Sequence, residues 1–531
     1  MKNRMTIGFI AGALLAGCAN ISGGNTRTAQ VSAASGLVTD IRTLVVEEKA
    51  RDARFLAVMD RSYLAFDQDS QRELASYPVS GDLKARQDFL VRILARAVET
   101  GNTAAAIEIS RIPRPRLEAL ISKRELRVRG EPAETVLMDY SEASATLTQA
   151  EIARVRNMQS AGALDAYQEA LAAGIEDSIK VKGRSLRQIL LLPLRPFVAA
   201  WMGMHILSGD DEKPVVGDFQ DATRYLPPNQ VIAETDPARM DDATLLGYYA
   251  PAIAIEHKEK VSYDPKADRF GKVVMTGAEV KSAQPLIDVD SPTVYTYVES
   301  HEISGQTVKQ LVYTFWFPER PKLKGGFDPE VGSTQGAIIR ISLNADNRPV
   351  LFENVSSCGC YYKIFPSKRL ETMAVAQYGS PLKRKKFSLE NDVPRKIDAH
   401  IPNIVQESER PRIIASYTAG AHDVASVEPY LEEDDAVSER GMRYRLVAYE
   451  ALESLPFNGA TISMFDEDGL VRNADRPEAT LLAASGIYHA GTPRQRGTLM
   501  IYFDQADFDD PALLTHYLRL PVGAFASTGS P

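Results

Sequence analysis

Residues 293–317, TVYTYVESHEISGQTVKQLVYTFWF, decide how the second half of the chain folds. The runs 293–302 and 306–317 are dense in β-branched and aromatic residues, and they meet around Ser304-Gly305. Such side chains fit a pleated, half-buried surface, and a Gly-containing pair between two such runs is a hairpin turn. Residues 336–343 and 350–355 repeat the arrangement across Asn344-Ala345-Asp346-Asn347. Further strands are predicted at 251–255, 361–365, 412–418, 460–465, 486–489 and 498–503. A short closing helix is predicted from Asp510-Pro511 to about Leu518.

Upstream the hydrophobic period is 3.6 rather than 2. Residues 39–66 place Ile41, Leu44, Val45, Phe55, Leu56, Met59 and Tyr63 largely at spacings of three and four, a helical pattern. Residues 84–100 carry one apolar stripe, Phe89, Leu90, Ile93, Leu94, Ala97 and Val98, with Gly101 at the expected C-terminal cap. Residues 148–173 form a third helix, with Thr148 and Glu151 at capping-box spacing and Gly174 at its end. Residues 188–207 are long and apolar enough to suggest a membrane span. Arg195 in mid-run and Pro193 and Pro196 beside it favour a buried helix pair instead. The expected class is α+β: a helical domain over 38–207, a linker rich in Asp, Pro and Gly over 208–244, a larger β-rich domain with a few helices over 245–520, and a frayed tail over 521–531.

The N-terminus sets the expected location. Lys2 and Arg4 precede an uncharged apolar run from Met5 to Ala16, closed by Leu15-Ala16-Gly17-Cys18. A basic start, a short apolar core and small residues before a cut form the layout of an export signal. The run is too short for a hydrocarbon layer of about 30 Å. The tetrad resembles the lipobox of bacterial lipoproteins. That resemblance implies cleavage of residues 1–17, a diacylglyceryl group on the Cys18 thiol and an acylated new N-terminus. It covers residues 1–19 only. Ala rather than Asp at position 19 implies the outer membrane, with the protein facing the periplasm. Residues 18–37 then read as a lipidated, small and polar tether.

The chain has 531 residues, 44% hydrophobic and 25% charged, which are ordinary globular values. Removal of Lys2 and Arg4 leaves 59 basic residues against 70 acidic ones. Such a chain lacks the basic face that neutralises phosphates, so nucleic acid is not an expected partner. The partners expected are the membrane, through the lipid on Cys18, and a protein or other envelope component. The one basic run, Lys383-Arg384-Lys385-Lys386, reads as a solvated loop.

Besides Cys18 the chain has only Cys358 and Cys360. In extended backbone, residues two apart face one side, and Gly359 lets the chain bend between them. Three readings stay open: a structural disulfide or two quiet thiols; a redox dithiol whose strained ring raises the reduction potential; or two thiolate ligands to Zn or Cu(I). His301 and His257, both beside predicted strands, are the preferred completing ligands, with His422-Asp423 and His489 behind them. Asp504, Asp507 and Asp509, with Asp510, follow a strand and precede a helix, and Asp466-Glu467-Asp468 sit in a turn. Either acidic group could hold Ca²⁺, cap a turn, or supply a carboxylate pair. Nucleotide-binding, α/β-hydrolase and haem-attachment motifs are missing. The favoured functional expectation is a non-catalytic, lipid-anchored protein that binds a ligand or partner. The alternative is an envelope enzyme or metal-handling or redox protein centred on Cys358-Gly359-Cys360.

Overall fold

The computed structural model describes residues 24–175, 217–229, 234, 236–323, 328–393, 400–406, 412–430, 441–482, 491–501 and 506–527. Cys18, residues 188–207, the predicted strand 486–489 and Asp504 lie outside them. The chain is α+β, with helices first and a larger β-rich region after them.

Among the described residues, six helices build the first part: α1 Gly24–Glu47, α2 Gln68–Ala75, α3 Leu83–Ser110, α4 Arg114–Arg124, α5 Pro132–Arg156 and α6 Ala161–Gly174. Asp67, Asp82 and Ser160 cap α2, α3 and α6 by accepting from backbone N–H groups in the first turn. Helix α1 begins inside the stretch read as a tether. The period read across 39–66 is split. The helix stops at Glu47, and Leu56–Val58 pairs with Arg61–Phe66 as a small hairpin.

That hairpin explains Gly101. Helix α3 does not end there but runs on to Ser110, because the glycine lies under the hairpin backbone. A Cβ at 101 would stand 2.3 Å from the Tyr63 carbonyl oxygen. The glycine is a contact, not a stop. Likewise Thr148 lies inside α5, returning its hydroxyl to the Ser144 carbonyl, and the break comes later, before Ser160. The apolar stripe of α3 is buried as read, against Val136 and Tyr140 of α5, Leu64 and Phe66 of the hairpin, and Val38 and Ile41 of α1.

The β-rich part is built on a six-stranded sheet. Its order is Lys363–Pro366, Pro349–Ser356, Gly332–Leu343, Gln306–Arg320, Thr293–Ile303, Arg445–Ala448. All neighbours are antiparallel except the last pair. Ser304 and Gly305 turn the central hairpin with φ of 52° and 74°, the doubly left-handed geometry that suits a two-residue loop. Both faces of the sheet are covered, which is why 306–317 reads as nearly continuous apolar rather than alternating. Leu311, Tyr313, Phe315 and Phe317 pack on one face with Ile253, Ile413 and Tyr417 from a second, five-stranded sheet. Val308, Val312, Trp316 and Ile338 pack on the other with Phe508, Leu513 and Tyr517 near the C-terminus. The segment expected to fray is held as far as residue 527: Phe525 is buried, its N–H donates to Gln306 Oε1, and its carbonyl accepts from Ala345.

Among the described residues, the hydrophobic clusters do not bridge the two parts. One draws only on residues 31–175, and the others only on residues after 217. The seam is polar instead. Asp52, fully buried, takes Arg54 Nε at 2.9 Å and Arg111 Nη2 at 2.9 Å. Arg54 also reaches Glu453 Oε2 at 2.7 Å, and Gln495 donates to both Asp52 and Glu453. Burial opposes ionisation of Asp52, yet the two guanidiniums hold its carboxyl well below the usual range.

Candidate functional site: a dithiol on the sheet edge

Cys358 and Cys360 sit in the loop between strands Pro349–Ser356 and Lys363–Pro366, and that loop is tightly fixed. Ser356 N–H donates to the Cys360 carbonyl at 3.0 Å, and Gly359 N–H to the Ser356 carbonyl at 2.8 Å. Gly359 has φ +85° and Tyr361 φ +58°; the first suits glycine, and the second is a strained choice for a tyrosine. Ser357 is clamped from two sides. Its hydroxyl accepts from Gly336 N–H at 2.9 Å, and its carbonyl accepts from Arg494 N–H at 2.8 Å. The Tyr361 hydroxyl donates to Glu330, which also takes Arg320 Nη2 at 2.7 Å.

Within this frame the two sulfurs share a hydrogen bond at 2.8 Å, and both thiols are free. Their surroundings differ. Cys358 is buried and Cys360 is partly exposed. The Cys360 thiol beside Cys358 lowers the Cys358 pKa; burial opposes the shift, and the Arg476 guanidinium reinforces it. The partner sulfur raises the Cys360 pKa, and burial adds to that. One thiol is thus set to ionise early and the other late. Arg476 is 5% exposed, and its Nε and Nη2 make no hydrogen bond. It packs under the backbone of Gly332 and Gly491, where a Cβ would fall 2.7 Å and 3.1 Å from its side chain. A buried guanidinium with free donors favours an anion nearby, so it supports ionisation of the Cys358 thiol, while the Glu478 carboxylate opposes it.

The sheet register separates this pair from His301. Ser356 lies across from Ala337, and Ala337 from Phe315, whereas His301 lies across from Val308. Phe315 and Val308 are seven residues apart on one strand, about 23 Å at the usual rise. His257 is exposed beyond the strand Ala252–Ile255 of the other sheet. Among the described residues, no group of three or more His, Cys, Asp or Glu is placed to hold a metal ion. His422 lies on the face that packs against the five-stranded sheet, stacked 3.8 Å from Phe317, with Nε2 3.1 Å from Asp268 and Nδ1 3.2 Å from Gln335. Burial lowers its pKa and Asp268 opposes that.

His301 and Asp509, read as parts of two different sites, are brought together by the fold. Both lie near Glu299, as does Arg340. Arg340 is 2% exposed and grips Glu353 with two bonds, Nε to Oε2 at 2.8 Å and Nη2 to Oε1 at 2.6 Å, and donates from Nη1 to the Phe508 carbonyl. The Tyr362 hydroxyl donates to Glu353 as well. The Asp507 carboxylate accepts from Asp509 N–H at 3.0 Å. Burial and the neighbouring carboxylates push Asp507 up to about 8 and Asp509 up to about 6. In the other acidic turn, Asp466 Oδ1 accepts from the N–H groups of Asp468 and Leu470, so this carboxylate caps the turn.

Arg476 and Arg340 were not found from the sequence. Arg340, Glu299 and Glu353 left one trace, a charged residue inside an otherwise apolar strand. Arg476 left none, because it lies more than a hundred residues from the cysteines. No described helix is long and apolar enough to cross a membrane. No protein-family model, no curated protein and no solved structure matches this chain.

Proposed function

We propose that the chain is a lipid-anchored envelope protein whose β-rich part carries a thiol–disulfide exchange centre at Cys358 and Cys360. The observation that carries this reading is the unequal pair itself: two sulfurs 2.8 Å apart, the buried one favoured as thiolate and the other partly exposed. Exchange proceeds by thiolate attack on a disulfide sulfur, and a leaving thiol of lower pKa departs faster. Starting from the Cys358–Cys360 disulfide, a substrate thiolate attacks Cys360 Sγ. The bond between the cysteines breaks, and its electron pair leaves on Cys358 Sγ beside Arg476. A second substrate thiolate then attacks the substrate sulfur of the mixed disulfide. The substrate disulfide departs, and Cys360 takes the electron pair and a proton. Two substrate thiols are oxidised and the cysteine pair is reduced. A protein or small-molecule disulfide of the envelope resets the pair.

The lipobox supports the anchoring half of the reading. On this reading the lipid sits on Cys18, the fold lies in the oxidising space outside the inner membrane, and the anchor is in the outer membrane. Palmitate labelling tests it, with globomycin expected to block processing and Cys18→Ser expected to abolish the label. Equal labelling of wild type and Cys18→Ser would refute the anchor. For the redox half, the mature protein is equilibrated with graded mixtures of reduced and oxidised glutathione, the thiols are trapped, and the peptide holding both cysteines is weighed. A reversible loss of two hydrogens, at a defined ratio of the two, is expected. A peptide that stays fully reduced, or forms only mixed disulfides, would overturn the exchange reading and leave the non-catalytic binding reading in its place.

A further inference from the structure

The polar cluster around His301 lies where helix α2 meets the sheet. Asp69 and Arg72 of α2 pair with each other at 3.2 Å. Asp69 Oδ1 stands 3.7 Å from His301 Nδ1, and Arg72 Nη2 donates to the Asp509 carbonyl at 3.2 Å. His301 Nε2 is 3.6 Å from Glu299 Oε1 on its own strand. His301 is 8% exposed, and its two nitrogens, Glu299 Oε1 and Asp509 Oδ1 are buried with no closer hydrogen-bond partner. A buried imidazole between two carboxylates, one from each part of the chain, is an ion pair only when protonated.

We propose that this seam is a proton-linked clasp, in which protonated His301 ties α2 to the sheet by bridging Asp69 and Glu299. The groups facing it set the sign. Burial works against the charged imidazole, but Asp69 and Glu299 outweigh it and raise its pKa to about 9. Asp69 is lowered, first by His301, so its own linkage acts only in the acid range. Arg96 of α3 acts on Asp69 from outside. Arg340 faces Glu299 from two strands away and also faces Asp509, with Glu353 behind it. Tyr297, on the His301 strand, is neutral because burial raises it, and Arg496 lies over its ring. Asp507 and Asp509 are raised as well, and Asp510 bears on Asp507. A raised pKa means the closed seam holds its proton more tightly than the open one. For His301 that stabilisation is complete below 6.5, its ordinary value, and is lost as the pH passes through about 9. The two aspartates have the same sign. The clasp is closed in acid and loosened in alkali.

Hydrogen exchange of the α2 peptide in the mature protein, corrected for the intrinsic rate, reads the opening. The opening constant is expected to rise up to about tenfold per pH unit between roughly 6.5 and 9, then level off. His301→Gln is expected to abolish the rise above pH 8, leaving below it only the part that Asp507 carries. An identical opening constant at pH 6.5 and 9, or a rise above pH 8 that persists in His301→Gln, would overturn the clasp. If His301→Gln does not fold, Asp69→Asn on the helix side leaves the sheet intact. It should lower the His301 imidazole titration, read by NMR, by about one unit or more. An unchanged midpoint would overturn the clasp equally.

Discussion

Two polar clusters interrupt the apolar surroundings of the six-stranded sheet, and they are built in opposite ways. At the loop edge, Cys358 and Cys360 are neighbours in sequence, neutral as thiols, and share one guanidinium that makes few bonds of its own. Nearer the centre, Glu299, Arg340, Glu353 and Asp509 come from four separate segments, are ionisable, and Arg340 makes three hydrogen bonds. On the proposed reading, the first cluster makes and breaks a sulfur–sulfur bond without stranding a buried charge. The second cannot lose a member without stranding a buried charge. On the proposed reading, the difference separates an exchange centre from a clamp that holds strands, C-terminal segment and helix α2 together.

The sharpest way to break that contrast is to remove Arg340. Arg340→Met strands Glu353 at 1% exposure and is expected to cost about 3–5 kcal/mol in denaturant unfolding; a loss under about 1 kcal/mol would make the central cluster as dispensable as the edge. A smaller effect is expected in the helical part. Gly101→Ala forces a methyl onto the Tyr63 carbonyl and should destabilise by about 1–3 kcal/mol. By contrast Gly162→Ala in α6 meets nothing within 4 Å and should stabilise by roughly 0.5–1 kcal/mol. Equal effects at the two glycines would undo the assignment of Gly101 as a contact. At the edge, Cys360→Ser should shift unfolding by less than about 0.5 kcal/mol while abolishing formation of the Cys358–Cys360 disulfide. A large stability loss there would turn the dithiol into a structural element.

Much of the architecture was legible because hydrophobic period and turn chemistry are local. The hairpin at Ser304-Gly305 and the stripe of α3 follow from the residues that form them. What was not legible depends on contacts distant in sequence. Gly101 looks like a helix cap until Tyr63 is laid across it. His301 looks like a partner for cysteines in the same β region until the register sets it about 23 Å along the strand from their level. Asp509 looks like a surface ligand until Arg340 and Glu299 meet it from two other strands. The dithiol is the exception that proves local: two cysteines with one residue between them stay together in almost any fold, but Arg476 beside them could come only from tertiary structure.

The most direct test of the exchange centre is a thiolate absorbance titration of the mature protein, with Cys358→Ser and Cys360→Ser run beside it. One thiolate is expected to appear below the ordinary cysteine value of about 8.5 and to vanish in Cys358→Ser, and a second to appear above it and vanish in Cys360→Ser. Two thiolates that appear together near 8.5, unmoved by either substitution, would contradict the exchange centre.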